Sequence, residues 1–136
     1  MNRIKQLFNT KKENILSVYF CAGNPTLDST VPVLQALQQG GIDMVEIGMP
    51  FSDPLADGPT IQAASAQALK NGMCVTTLFE QLTDIRTTIH IPLILMGYLN
   101  PILHYGFEAF CQKCQNIGID ALIIPDPPFV LYQAEY

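Results

Sequence analysis

Four short runs rich in apolar and β-forming residues, 15–22, 43–47, 93–96 and 121–124, are separated by segments whose apolar positions recur at helical spacing. That alternation is the tightest constraint on the fold. A strand that is apolar along most of its length has both faces covered, and helices between such strands imply right-handed βαβ units around a parallel sheet. The class is therefore α/β. A weak internal repeat agrees with it: Gly41-Ile42-Asp43-Met44-Val45-Glu46-Ile47 resembles Gly118-Ile119-Asp120-Ala121-Leu122-Ile123-Ile124 in pattern and in position before a strand end.

The connecting segments can be read in turn. Ile4, Leu7 and Phe8 share one face of a short leading helix over residues 2–8. Asp28, Ser29 or Thr30 can cap a second helix with Val33, Leu34 and Leu37 turned inward, and Pro32 is tolerated because it falls in the first turn. Gly40 and Gly41 stop that helix. Pro59 suits the start of a third helix running to about Asn71, with Gly72 as its left-handed cap. Thr77 and Glu80 read as a capping box for a fourth, bearing Leu78, Phe79, Leu82 and Ile85. A fifth spans residues 107–117.

Composition excludes several classes. At 49% hydrophobic and 14% charged, the chain is too apolar for disorder. Its formal charge of −5, with Lys and Arg scattered, leaves no electrostatic footprint for nucleic acid and disfavours anionic membranes. No apolar run approaches the roughly 20 residues of a membrane span, and the start lacks the apolar core of a signal peptide, so a cytoplasmic location is expected. Cys111 and Cys114 stand in C-x-x-C spacing, but Phe107, Phe110 and Ile117 share their helical stripe, which points to packing and not to a metal.

Four strands serve an open doubly wound sheet or half of a closed barrel equally well, and no G-x-G-x-x-G favours a dinucleotide fold. The position of the polar residues favours the barrel. Gly23-Asn24-Pro25, Ser52-Asp53, Tyr98-Leu99-Asn100-Pro101 and Asp126-Pro127-Pro128 all follow strand C-termini, where barrels gather their active sites. Glu46 is the odd residue in its strand, expected to point into a mostly dry interior, where burial raises a carboxyl pKa toward the range useful for acid–base catalysis. A Glu satisfied by a hydrogen bond is the plainer alternative. Asp57, just ahead of Pro59, is either a second acid facing the same pocket or a helix N-cap.

The stretch from Glu46 to Gln62, EIGMPFSDPLADGPTIQ, closely resembles the signature of tryptophan synthase alpha subunits. Residues 19–25, 96–101 and 125–128 are similar to that family in the expected order, so the resemblance covers essentially the whole chain. It implies a (βα)8 TIM barrel, of which residues 1–136 would be the N-terminal half: the leading helix and strands one to four. A barrel of this kind runs to about 250 residues and holds phosphate with loops after strands seven and eight, so the C-terminal half and the phosphate site are expected to be absent.

The resemblance further implies a lyase of tryptophan biosynthesis that cleaves indole-3-glycerol phosphate to indole and glyceraldehyde 3-phosphate, with Glu46 moving protons and Asp57 stabilising charge on the indole ring. Tyr19, Tyr98 and Ile123 occupy positions that contact the indole moiety in the family, although each could equally be barrel packing. Tyr19 is a departure, since Phe is more familiar there. Pro50, Asp53, Asn100 and Asp126 would lie at or near the contact with a beta subunit in an alpha2beta2 complex. No cofactor is implied in this chain; pyridoxal phosphate belongs to that partner. Two other readings remain open at this point: a non-catalytic barrel fragment that only docks on a beta subunit, and another phosphate-handling TIM-barrel enzyme.

Overall fold

The computed structural model describes residues 2–127. Pro128, which closes the 125–128 motif, lies outside the described residues. Helix α1 (Arg3–Thr10) leads, followed by β1 (Ser17–Cys21), α2 (Thr30–Gln39), β2 (Met44–Gly48), α3 (Pro59–Lys70), α4 (Val75–Gln81), β3 (Leu93–Met96), α5 (Leu99–Tyr105), α6 (Phe107–Ile117) and β4 (Ala121–Ile123), with short 3-10 turns at Leu27–Ser29 and Ile85–Thr87. The four strands form one parallel sheet in the order β1-β2-β3-β4. This is the architecture of the first four βα units of a (βα)8 barrel.

Register decides what each face carries. Tyr19 pairs with Glu46 and Glu46 with Ile94, while Val45 pairs with Leu93 and Ile47 with Leu95. Because alternate residues point to opposite faces, Val45, Ile47, Leu93 and Leu95, all fully buried, turn toward the helices. There they meet Leu34, Phe79, Leu82, Ile102 and Phe110 in a single core. Phe79, Tyr105 and Phe110 pack with ring centroids 5.1–6.1 Å apart, joining α4, α5 and α6. The opposite, concave face carries Ser17, Tyr19, Met44, Glu46, Ile94, Met96, Ala121 and Ile123. Cys114 is buried on the inner stripe of α6, and burial pushes its thiol up to about 12; Cys111 beside it is half-buried.

Several boundaries depart from the sequence reading. Cys74, and not a residue at Thr77, sits at the N-cap of α4, so the Thr77/Glu80 pair lies inside the helix, where the Thr77 hydroxyl lies 3.3 Å from the Cys74 sulfur. The box that does form is Thr26 with Ser29, ahead of α2; Thr30 is buried and its hydroxyl accepts the Gly23 N–H. Helix α5 begins inside the 98–101 segment that the sequence places in a loop after a strand, and it includes Pro101. That proline falls in the first turn of α5, where its missing N–H would have had no intrahelical partner. Among the described residues, no helix is long and apolar enough to cross a membrane.

At the N-terminal end of the sheet, Asp120 gathers distant parts of the chain. Its side chain is only 3% exposed. One oxygen accepts the backbone N–H and a guanidinium N–H of Arg3, and the other accepts Arg86 Nη2 at 2.7 Å and the Leu93 N–H at 3.0 Å. Arg86 spends its remaining donors on the carbonyls of Gly118, Ile89 and Ile91. A carboxylate this buried persists because every charge is met.

Removing Asp120 leaves the mostly buried Arg86 charge without its counter-ion, so Asp120→Ala is expected to cost about 3 kcal/mol in urea unfolding. Arg3 is 38% exposed, and Arg3→Ala should cost under about 1 kcal/mol. Nearby, the Lys11 ammonium and then the Leu16 N–H hold the Asp43 carboxyl below its ordinary 3.8. A depressed native pKa stabilises the fold above the unfolded value and is lost as pH falls through the native one. Lys11→Met should therefore flatten the loss of stability below about pH 4, measured by urea titrations across that range.

Candidate active site

Glu46 stands in the middle of β2 on the concave face, flanked by the outward-facing Val45 and Ile47. The sequence expectation of a dry surrounding is met only in part: among the described residues Glu46 is half-buried. Its Oε1 accepts a hydrogen bond from the Ser17 hydroxyl at 2.8 Å, which is the satisfied state the plainer alternative required. The direction of the side chain, toward the concave face, is the one expected.

Asp57 lies beyond the C-terminal end of β2 in the loop between β2 and α3. It is not the helix N-cap: that position is Gly58, with no side-chain cap. The half-buried Asp57 carboxylate instead accepts a hydrogen bond from the Tyr98 hydroxyl at 3.1 Å, while the same hydroxyl accepts the Ala56 N–H at 2.9 Å. Tyr98 is 7% exposed and packs its ring against Phe51, centroids 5.3 Å apart. A second anchor holds the loop from below, where buried Ser65 on α3 bonds both the N–H and the carbonyl of Phe51. Between these anchors Leu55 is 89% exposed at the loop's tip.

Tyr19 lies across the C-terminal end of β2. Its hydroxyl lies so close over Gly48 that a Cβ there would collide with it, which is why glycine ends β2. Burial first, and then the nearby Cys21, Asp57, Tyr98 and Glu46, raise its pKa. Of these neighbours, Asp57 and Tyr98 are joined by a hydrogen bond, and Glu46 is the partner of Tyr19 across β1 and β2. Burial likewise raises Tyr98, and both phenols stay protonated donors at neutral pH. Ile123, at the end of β4, lies on the same face but is 37% exposed and farther along the sheet.

The four residues expected near a partner lie on the same rim. Asp53 and Asn100 are exposed and Pro50 is half-buried. Asp126, also exposed, accepts the Leu99 N–H at 2.8 Å and so fixes the start of α5. A cavity of about 420 Å³ opens on the helical side of this loop, lined by Pro50, Met73, Cys74, Pro101, His104 and Tyr105; neither Glu46 nor Asp57 reaches it. Among the described residues no cluster of His, Cys, Asp or Glu has the makings of a metal site.

Residues 5–134 match the tryptophan synthase alpha chain family. The chain is 61% identical to the tryptophan synthase alpha chain of Bacteroides thetaiotaomicron and 61% identical to that of Flavobacterium psychrophilum, in each case over all of its own length and 53% of the relative's. It therefore spans about half the length of these curated relatives. In structure it is similar to the tryptophan synthase subunit alpha of Legionella pneumophila, with a TM-score of 0.88 and 39% identity over 94% of this chain and 50% of that one. A structure of tryptophan synthase from M. tuberculosis gives a TM-score of 0.88 at 31% identity, covering 98% and 55%.

The Tyr98 hydroxyl ties Asp57 to the body of the protein, so Tyr98→Phe should release the loop while keeping the ring stacked on Phe51. Loss of two such bonds is expected to raise amide exchange at Ala56 about tenfold. Unchanged protection there would show that the loop is held by other contacts.

Proposed function

Since the chain belongs to the tryptophan synthase alpha chain family, we propose that it supplies the acid–base half of a lyase site that cleaves indole-3-glycerol phosphate to indole and glyceraldehyde 3-phosphate. The observation that supports this reading is a pair of carboxylates near Tyr19: Glu46, its cross-strand partner on β2, and Asp57, on the loop after β2 and hydrogen-bonded to Tyr98.

The chemistry asks for two things. Indole is a poor carbanion leaving group, so its C3 must be protonated to make the ring an electron sink, and the glycerol hydroxyl must lose its proton for the carbon–carbon bond to break. Glu46, half-exposed and with one oxygen unbonded among the described residues, is the group in this reading that moves those protons. Positive charge then develops on the indole ring. Asp57, fixed by Tyr98, accepts the indole N–H and stabilises that charge without having to reorganise. Tyr19, Tyr98 and Ile123 supply the walls against the ring. None of these steps calls on a cofactor.

Delivery of indole to a pyridoxal phosphate-bearing beta subunit would take place across the rim of Pro50, Asp53, Asn100 and Asp126, in an alpha2beta2 assembly. The exposure of Asp53, Asn100 and Asp126 supports that reading. A second reading rests on the same exposed rim: a docking module that binds a beta subunit without turnover. Barrels hold phosphate with loops after strands seven and eight, beyond β1–β4.

Indole release from indole-3-glycerol phosphate, measured with beta subunit present, separates the two readings, since binding without indole supports the module. In the active protein Glu46→Gln, nearly isosteric, should lower kcat by at least about 100-fold through lost proton transfer. Asp57→Asn should lower it by roughly 100-fold or more through lost charge. Turnover near the wild-type rate in either variant would remove that residue from its role.

A further inference from the structure

We infer that Ser17 is a positioning residue for Glu46, and the inference rests on the lyase reading above. In the parallel register Ser17 stands beside Met44, and Tyr19 beside Glu46. Ser17 thus lies two residues, roughly 6.6 Å, toward the N-terminal end of the sheet from the level of Glu46. Its hydroxyl nevertheless reaches Glu46 Oε1 at 2.8 Å, so the carboxylate leans down the concave face, away from the loop that carries Asp57. Among the described residues Oε2 has no hydrogen bond.

The side chains that β2, β3 and β4 add to this face, Met44, Ile94, Met96, Ala121 and Ile123, are apolar and offer the carboxylate nothing to bind. A glutamate with three rotatable bonds on such a surface would sample many positions, whereas proton transfer needs the group held to about 0.5 Å. Ser17 resolves this by binding one oxygen and leaving the other to exchange a proton with substrate. Ser17 does not touch the reacting atoms. It acts through the orientation of Glu46, and its effect belongs to kcat and not to substrate affinity.

The test uses the polypeptide as the cell produces it, with beta subunit present, as wild type, Ser17→Ala and Ser17→Thr. Two quantities are read: kcat and KM for indole release, and the 13C resonance of the Glu46 side-chain carboxyl at neutral pH. Ser17→Ala is expected to lower kcat about tenfold, the scale of one hydrogen bond to a charged group, with KM changed less than about twofold. Ser17→Thr, which keeps the hydroxyl, restores kcat. The carboxyl resonance moves in the alanine variant and returns in the threonine variant. An undiminished kcat in Ser17→Ala overturns the inference, as does a loss that threonine fails to restore. If the wild type releases no indole, the lyase reading falls by itself, and the resonance still decides the matter: a signal unchanged in Ser17→Ala rejects the Ser17 contact.

Discussion

In-step parallel pairing of β1 to β4 is what every other feature hangs on, because it sets Tyr19, Glu46 and Ile94 side by side and sends Val45, Ile47, Leu93 and Leu95 to the other side. A one-residue slip of β2 would exchange these sets, burying a carboxylate among the helices and exposing valine and isoleucine. The fully buried outer residues therefore do more than stabilise. By making the slip prohibitively costly, they hold Glu46 on the face where Tyr19 and Asp57 are found.

The loop after β2 solves a different problem, which is to hold a charged group rigidly on a segment with no ladder of its own. Two hydroxyls do this. Ser65 closes a pair of bonds with the Phe51 backbone, and Tyr98 bridges Ala56 and Asp57. Both come from elements packed into the core, so the loop borrows its order from the scaffold.

Local patterns were legible in the chain, and non-local pairs were not. The four strands could be read because each is short and mostly apolar, and α6 because Phe110, Cys114 and Ile117 repeat at helical spacing. Helix α5 was not legible because its seven residues are too few to show a helical period. The start of α4 was misplaced because Thr77 and Glu80 imitate a cap while Cys74, a poor capping type, holds the position. At the site, Glu46 and Asp57 stood out as carboxylates where apolar or loop residues were expected, but their partners did not. Ser17 is 29 residues from Glu46 and Tyr98 is 41 from Asp57. Alternation gave one usable hint: a serine two places before Tyr19 shares its face, and that face is the one bearing Glu46.

The contact between Arg3 and Asp120 joins residues 117 positions apart. Translation runs from the amino terminus at some 5–20 residues per second, so the first helix leaves the ribosome several seconds before its acidic mate exists. Until Asp120 emerges, the start of the leading helix lacks the links that Asn2 and Arg3 make to it, and a helix of eight residues is marginal alone in water. The Asn2–Arg3 end of that helix is thus secured late, and nascent polypeptides halted short of residue 120 would hold the helix only from its Lys11 end.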